Sequence, residues 1–309
     1  MSDTGLREIR QPGDYCYTYS PFYTPVAEVA EGEKVVVYTV DAFENKLNSP
    51  EDKFTDLCTY PFLNPQTGPI YIRGAEPGDT LSVTIHDIVP DREYAVTALI
   101  PNFGGLTGTQ KTAMLNDPLP EQTRILPIEE GEVLFNERIR IPYEPFMGTM
   151  GVAPEIEAVN CLTPDYYGGN MDCVETRPDN EVLFPVFVDG AHFFTGDAHA
   201  TQGDGELTGV ACEIPARVTL SFKVLKGKTI HWPRIISDEY LMTAGSARPL
   251  DDAARIAWVE LIDWMVADYG FEKFEAYHLL GQVGKMRLGN MVDPNYTMVA
   301  KVARRYLPE

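Results

Sequence analysis

Along most of the chain, apolar residues fall into short runs separated by turns. After Pro215, Val218, Leu220, Phe222 and Val224 alternate with Arg217, Thr219, Ser221 and Lys223. Period-two alternation buries one set of side chains and wets the other, so it predicts a half-buried antiparallel strand. A second such strand follows the Gly78-Asp79 turn, where Leu81, Val83 and Ile85 alternate with Thr80, Ser82, Thr84 and His86. A shorter one sets Val210, Cys212 and Ile214 against Ala211 and Glu213. Residues 33–40 and 181–188 are β-branched or apolar runs bounded by glycine and aspartate, again strand-like. Near residue 250 the period changes. Ile256, Val259, Ile262 and Trp264 recur near helical spacing, with Asp251-Asp252 to start a helix through about Ala267 and Gly270 to end it. Residues 272–280 predict a second helix stopping near Gly281 or Gly284, and residues 296–306 return to a strand pattern. The expected architecture is mainly β: a β-sandwich core over residues 1–228, with a smaller helix-containing segment, 229–309, packed on it.

Composition narrows the partners. A chain of 309 residues can bury a large core without staples. Its net charge of −21 repels phosphate backbones and anionic bilayers, which argues against nucleic-acid and membrane partners. No stretch approaches the roughly 18 apolar residues of a membrane helix. The five cysteines, Cys16, Cys58, Cys161, Cys173 and Cys212, are odd in number and form no C-x-x-C pair. That pattern fits a reducing compartment, and Met1-Ser2-Asp3-Thr4-Gly5 lacks a basic-then-apolar leader, so the expected location is cytoplasmic.

The densest chemistry lies between Asp189 and Glu206, D-G-A-H-F-F-T-G-D-A-H-A-T-Q-G-D-G-E. Asp197 and His199 are two apart, so on an extended segment they share a face and can offer a divalent ion two ligands. Gly203-Asp204-Gly205 can turn the chain back to present Glu206. A solvated acidic loop with a hydrogen-bonded histidine has the same pattern. Gly168-Gly169-Asn170-Met171-Asp172 reads as a relaxed backbone aiming polar groups into a pocket, or as a plain hairpin turn. His86 is a further candidate metal donor, or a satisfied strand histidine. Cys173 has no activating base in sequence, and neither serine-elbow nor phosphate-loop signatures occur. Residues 103–108, F-G-G-L-T-G, read as a mobile segment able to serve as a lid.

Four segments in order, G-A-E-P-G-D-T-L from Gly74, P-F-M-G-T-M-G-V-A-P-E from Pro145, G-G-N-M-D from Gly168 and G-D-A-H-A-T-Q-G-D-G-E from Gly196, resemble the acetamidase/formamidase family. The resemblance runs from about residue 70 to the C-terminus, Val292-Asp293-Pro294 included. It implies a jelly-roll-like β-sandwich with additional α/β elements, hydrolysis of small amides such as formamide and acetamide to carboxylate and ammonia, a divalent metal, and homo-oligomers, dimeric or higher. By the same resemblance, the metal and active-site positions fall on Asp172, Asp197 and His199, with Glu155 beside them. Glu155 is the expected general base, and Asn170, Gln202 and Glu206 are the polar groups expected to bind substrate. The family often carries an apolar residue where this chain has Gln202. A histidine-plus-carboxylate set suits zinc, with calcium as the alternative. Two other classes stay open at this level: a calcium- or carbohydrate-binding sandwich without activity, and a same-fold hydrolase acting on another C–N or ester bond.

Overall fold

The computed structural model describes residues 5–107 and 120–308. Its strands build two large sheets. Among the described residues the first has nine strands, in the order Arg7–Ile9, Lys34–Thr39, Ala216–Leu225, Thr80–Pro90, Glu181–Pro185, Arg234–Ile236, Tyr240–Ala247, Tyr296–Ala303 and Lys285–Asn290. Ala216–Leu225 sits inside this sheet with strictly alternating burial, because its two neighbours cover both edges and only one face meets the core. The second sheet, of ten strands, is organised around Phe193–His199 and Phe146–Val152, which pair antiparallel. The inner faces of the two sheets meet in one hydrophobic core, where Phe193 stacks edge-on against Phe222 at 5.3 Å. The fold is thus mainly β, a jelly-roll-like sandwich with helices near its C-terminus.

Those helices span Leu250–Tyr269, ended by Gly270 at φ 68°, and Lys273–Val283, which runs through Gly281 and is capped at Gly284. The first helix presents Ala253, Ala257, Leu261, Trp264 and Met265 to the sheet, whereas Val259 is 54% exposed. Small residues take the inner stripe because the strand beneath approaches closely: a Cβ on Gly245 would lie 2.4 Å from the Ala253 carbonyl. The expected boundary near residue 228 lies in a turn between two strands of the same sheet. Arg234–Ile236 pairs with Glu181–Pro185, so the C-terminal strands extend the first sheet beneath their own helices.

Candidate active site

The second sheet branches at one residue. Residues 193–196 pair with Gln66–Ile72, but Ala198 and His199 pair with Glu213–Ile214. Asp197 lies at the switch, with φ 56°. On its other side the ladder to Phe146–Val152 is interrupted opposite Gly148, whose carbonyl instead accepts a hydrogen bond from Asp172 N at 3.1 Å. Asp172 (φ 48°) and Glu206 (φ 48°) also occupy the left-handed region. Non-glycine residues held there cost about 1–3 kcal/mol each and cluster where side chains must be aimed. Gly148 supplies the room: a Cβ there would come within 2.6 Å of His199 Cε1 and 2.9 Å of Asp172 Oδ1.

These backbone devices bring Asp172, Asp197, His199, Glu206 and Glu213 together, all buried. Ligand atoms of Asp172, His199 and Glu206 lie within 4.8 Å of one another, and so do those of Asp197, His199 and Glu213. His199 Nε2 is 3.4 Å from Asp197 Oδ1 and 3.3 Å from Glu213 Oε2. Its Nδ1 is 3.0 Å from Gln202 Oε1, while Gln202 Nε2 donates to the carbonyls of Asp172 (3.2 Å) and Gly289 (3.1 Å). The two carbonyls fix the amide with its oxygen towards the ring, so Nδ1 carries a proton and donates, and Nε2 is the nitrogen turned to the carboxylates. Asp197 Oδ2 accepts from Asn64 Nδ2 and Thr149 Oγ1, each at 2.8 Å.

In this cluster five atoms are buried without a hydrogen-bond partner: both Asp172 oxygens, Asp197 Oδ1, His199 Nε2 and Glu213 Oε2. Buried carboxylates left this way cost several kcal/mol each unless a cation or protons neutralise them. The titration behaviour follows. Burial, reinforced by Glu206 and Asp293, holds Asp172 well above the usual carboxylate range, and burial with Asp293 does the same to Glu206. Burial raises Glu213 to about 8, in spite of His199, and Asp293 to about 7. Burial opposes charge on His199, but Glu213 and Asp197 outweigh it and raise its pKa; Asp197, also opposed by burial, is lowered by His199. One imidazole nitrogen among convergent carboxylates, unmet by hydrogen bonds, is a donor set that fits a divalent cation.

A cavity of ≈ 490 Å³ opens onto this cluster, with Asn64, Asn170, Asp197, Glu206, Glu213 and Asp293 on its floor. Asn170 reaches it, but its side chain is engaged: Oδ1 accepts from Asn64 (2.9 Å) and from Thr149, and Nδ2 donates to Asp293 Oδ2 at 2.9 Å. It positions Asp293 and Asn64 from the cavity wall. Gln202 likewise spends its amide behind His199 and lies outside this cavity, against the expectation that it binds substrate. Glu206 borders the cavity and also belongs to a ligand group.

Two expected residues lie elsewhere. Glu155 is exposed, beside Tyr166 and His231 in a separate surface depression, because the chain leaves the sheet at Ala153-Pro154 before reaching it. His86 is on Thr80–Pro90 of the opposite sheet, 2.8 Å from Ser221 Oγ, and belongs to neither ligand group. Cys173 is buried, with its thiol raised well above 9 first by burial and then by Glu175, and its Sγ faces the Met171 carbonyl at 3.5 Å. That environment disfavours a thiolate nucleophile. Phe103–Gly105 is pinned to residues 207–209, so that part of the expected lid is packed in place; Gly108 lies outside the described residues. Glu213, Asp293 and Asn64 are site residues that the sequence pattern did not single out.

The model of the Acetamidase/Formamidase family matches residues 13–162 and 155–305. A crystal structure of acetamidase from Yersinia enterocolitica superposes with a TM-score of 0.95 at 46% identity, covering 98% of this chain and 93% of that one. Acetamidase from Bacillus halodurans gives 0.89 at 30% identity, over 97% of this chain and 98% of its own. The formamidase of Methylophilus methylotrophus is 24% identical over 67% of this chain, and the match spans only 62% of that protein's length. A γ-lactamase from Delftia acidovorans, at 20% identity and a TM-score of 0.62, shares the fold. With a family match covering nearly its whole length and a 46% identical structural relative, the chain belongs to the acetamidase/formamidase family.

Proposed function

We propose that the protein is a metal-dependent amidohydrolase that splits the C–N bond of small non-peptide amides into a carboxylate and ammonia. The observation that carries this reading is the set of buried, unpartnered atoms on Asp172, Asp197, His199 and Glu213, of which Asp197 and Glu213 border the cavity. Asp172, Asp197, His199, Glu206 and Glu213 would hold the ion, and zinc is the choice that the imidazole favours. A divalent ion there supplies Lewis acidity, lowering the pKa of water and polarising a carbonyl. Family relatives named acetamidase and formamidase support an amide as substrate.

The remaining work belongs to the chain. Asp293 borders the cavity, stands outside both ligand groups and is oriented by Asn170. It takes the general-base role first expected of Glu155, accepting a proton from the attacking water. Returned to the amide nitrogen, that proton lets ammonia leave as a neutral molecule. Arg248 Nη2 donates to the Asp293 carbonyl at 2.5 Å and its guanidinium stacks on Tyr296 at 4.4 Å, which fixes the loop carrying Asp293. Self-association, as a dimer or larger, is part of the same reading and is checked by light scattering.

The test is Asp293→Asn, assayed for ammonia release and metal content on one preparation. Turnover should fall by about two to four orders of magnitude with the metal retained. Near-normal turnover would remove Asp293 from the mechanism. Elemental analysis of the parent protein should find zinc; calcium in its place would overturn the choice of ion.

A further inference from the structure

Acetamide needs room for one methyl group beside its reacting carbon. The cavity above the carboxylates is far larger, at ≈ 490 Å³, and its upper walls are apolar. Phe43, Phe54, Leu63, Ile100, Phe103 and Leu162 line it. Five of these belong to a hydrophobic cluster separate from the main sandwich core, built where residues 42–63 fold over the strand Tyr94–Leu99: Phe43 and Ile100 are buried in it, and Phe54, Leu63 and Phe103 pack against it. Phe43 and Phe54 meet edge to face with centroids 6.0 Å apart, so the wall is braced by ring packing.

That wall is also tied to the chemistry. Gly105 N donates to the Leu207 carbonyl at 2.8 Å, and Gly209 N to the Glu206 carbonyl at 2.7 Å. The Phe103 ring lies flush on Gly209, where a Cβ would come within 2.5 Å of its Cε1. The aromatic wall and the carboxylate of Glu206 are therefore held by one packed segment.

Resting on the amidohydrolase reading, we infer that the preferred substrates are primary amides whose acyl group is apolar and larger than acetyl, roughly four to eight carbons or one aromatic ring. The amide end meets the carboxylate floor, and the acyl chain lies against Phe103, Phe54 and Leu63. The carboxylate product leaves by the same apolar path.

Steady-state kcat/KM for acetamide, butyramide and hexanamide tests this. Each buried methylene should raise kcat/KM about fourfold, so hexanamide, with four more methylenes, should exceed acetamide by about 250-fold. Phe103→Ala should cut that hexanamide-to-acetamide ratio at least about tenfold. Phe54→Ala, in the short helix Phe54–Leu57 outside both sheets, repeats the test if the first variant does not fold. Hexanoate should compete more tightly than acetate in the parent enzyme, and this preference should shrink in the variants. Good acetamide turnover with flat or falling kcat/KM along the series overturns the acyl assignment alone. No ammonia from any amide overturns the amidohydrolase reading with it.

Discussion

The ion pair under the C-terminal helix and the acidic cluster of the branched sheet both bury ionisable groups, and they differ in how those groups are met. Under the helix Leu250–Tyr269, Arg234 Nε and Nη2 both reach Glu260 Oε1 at 2.7 Å, with the side chains 5% and 3% exposed and the guanidinium stacked on Trp264. One cation answers one anion, and neither side chain has an orphaned atom. On the branched sheet, four acidic side chains surround a single imidazole, and five of the atoms there lack any hydrogen-bond partner. Burial of charge therefore does not mark a site by itself. Several unmet atoms converging from different acids on one imidazole do, because the fold has gathered groups that it does not satisfy internally.

The comparison can be broken from either side. His199→Ala should have the largest effect: loss of bound metal together with ammonia release, by more than the roughly 100-fold that removing an outer-shell partner costs. Circular dichroism should stay native, since burial already raises Asp172, Glu206 and Glu213, and these acids can take up protons in place of the lost imidazole. Retained metal and turnover would show the cluster to be as self-contained as the Arg234 pair.

Glu260→Ala should do the opposite. Stripping Arg234 of its buried partner should cost about 3–5 kcal/mol in denaturant unfolding, while metal stoichiometry stays that of the parent. A drop in metal content in the folded variant would show that the ion pair and the acidic cluster are energetically coupled.

Gln202→Leu comes next. It removes the acceptor that fixes the His199 tautomer and should weaken metal affinity about 10- to 100-fold, read by competition with a chelating dye. Unchanged affinity would make Gln202 a spacer.

The smallest effect is the pH dependence of the metal-free protein. Burial raises Glu213 to about 8 and Asp293 to about 7, whereas unfolded carboxyls titrate near 4. The folded chain then holds protons that the unfolded chain has released. The stability these groups contribute is full below about pH 4 and is lost as pH rises through their folded values. The chelated protein should melt at progressively lower temperature from pH 5 to pH 8, and added metal should flatten that slope. A melting temperature that rises over this range would contradict the burial of the two acids.

How much was legible follows from how each strand is wetted. Ala216–Leu225 could be read residue by residue because one face meets water and the other the core. Phe193–His199 is buried along its whole length, so alternation is absent, and only the Asp197/His199 spacing signalled its chemistry. Glu213 sits in a two-residue strand where alternation assigns it to the wet face, yet it is 1% exposed, because the branch of the sheet covers that face. Glu155 shows the converse error. Seven buried residues, Phe146–Val152, invite the expectation that burial continues, but the strand ends and Glu155 is left in solvent. Val259 fails similarly: helical spacing finds the helix, while close approach of the sheet selects alanines for its inner stripe. Asn64 and Asp293 come from loops far apart in sequence, and no local pattern joins them.

That separation has a consequence for how the chain matures. Asn64 holds Asp197 at 2.8 Å, 133 residues away in sequence, and Asp293 is held by Asn170 at 2.9 Å, 123 residues away, so the site draws on long-range contacts. Closing loops of that span is slow, and the floor cannot be assembled by any early, local piece of structure. During synthesis the nascent chain cannot present the full acidic floor until Asp293 has emerged and its strand neighbours have docked. Metal uptake would then be a late checkpoint in folding, reporting that both ends of the sheet have met.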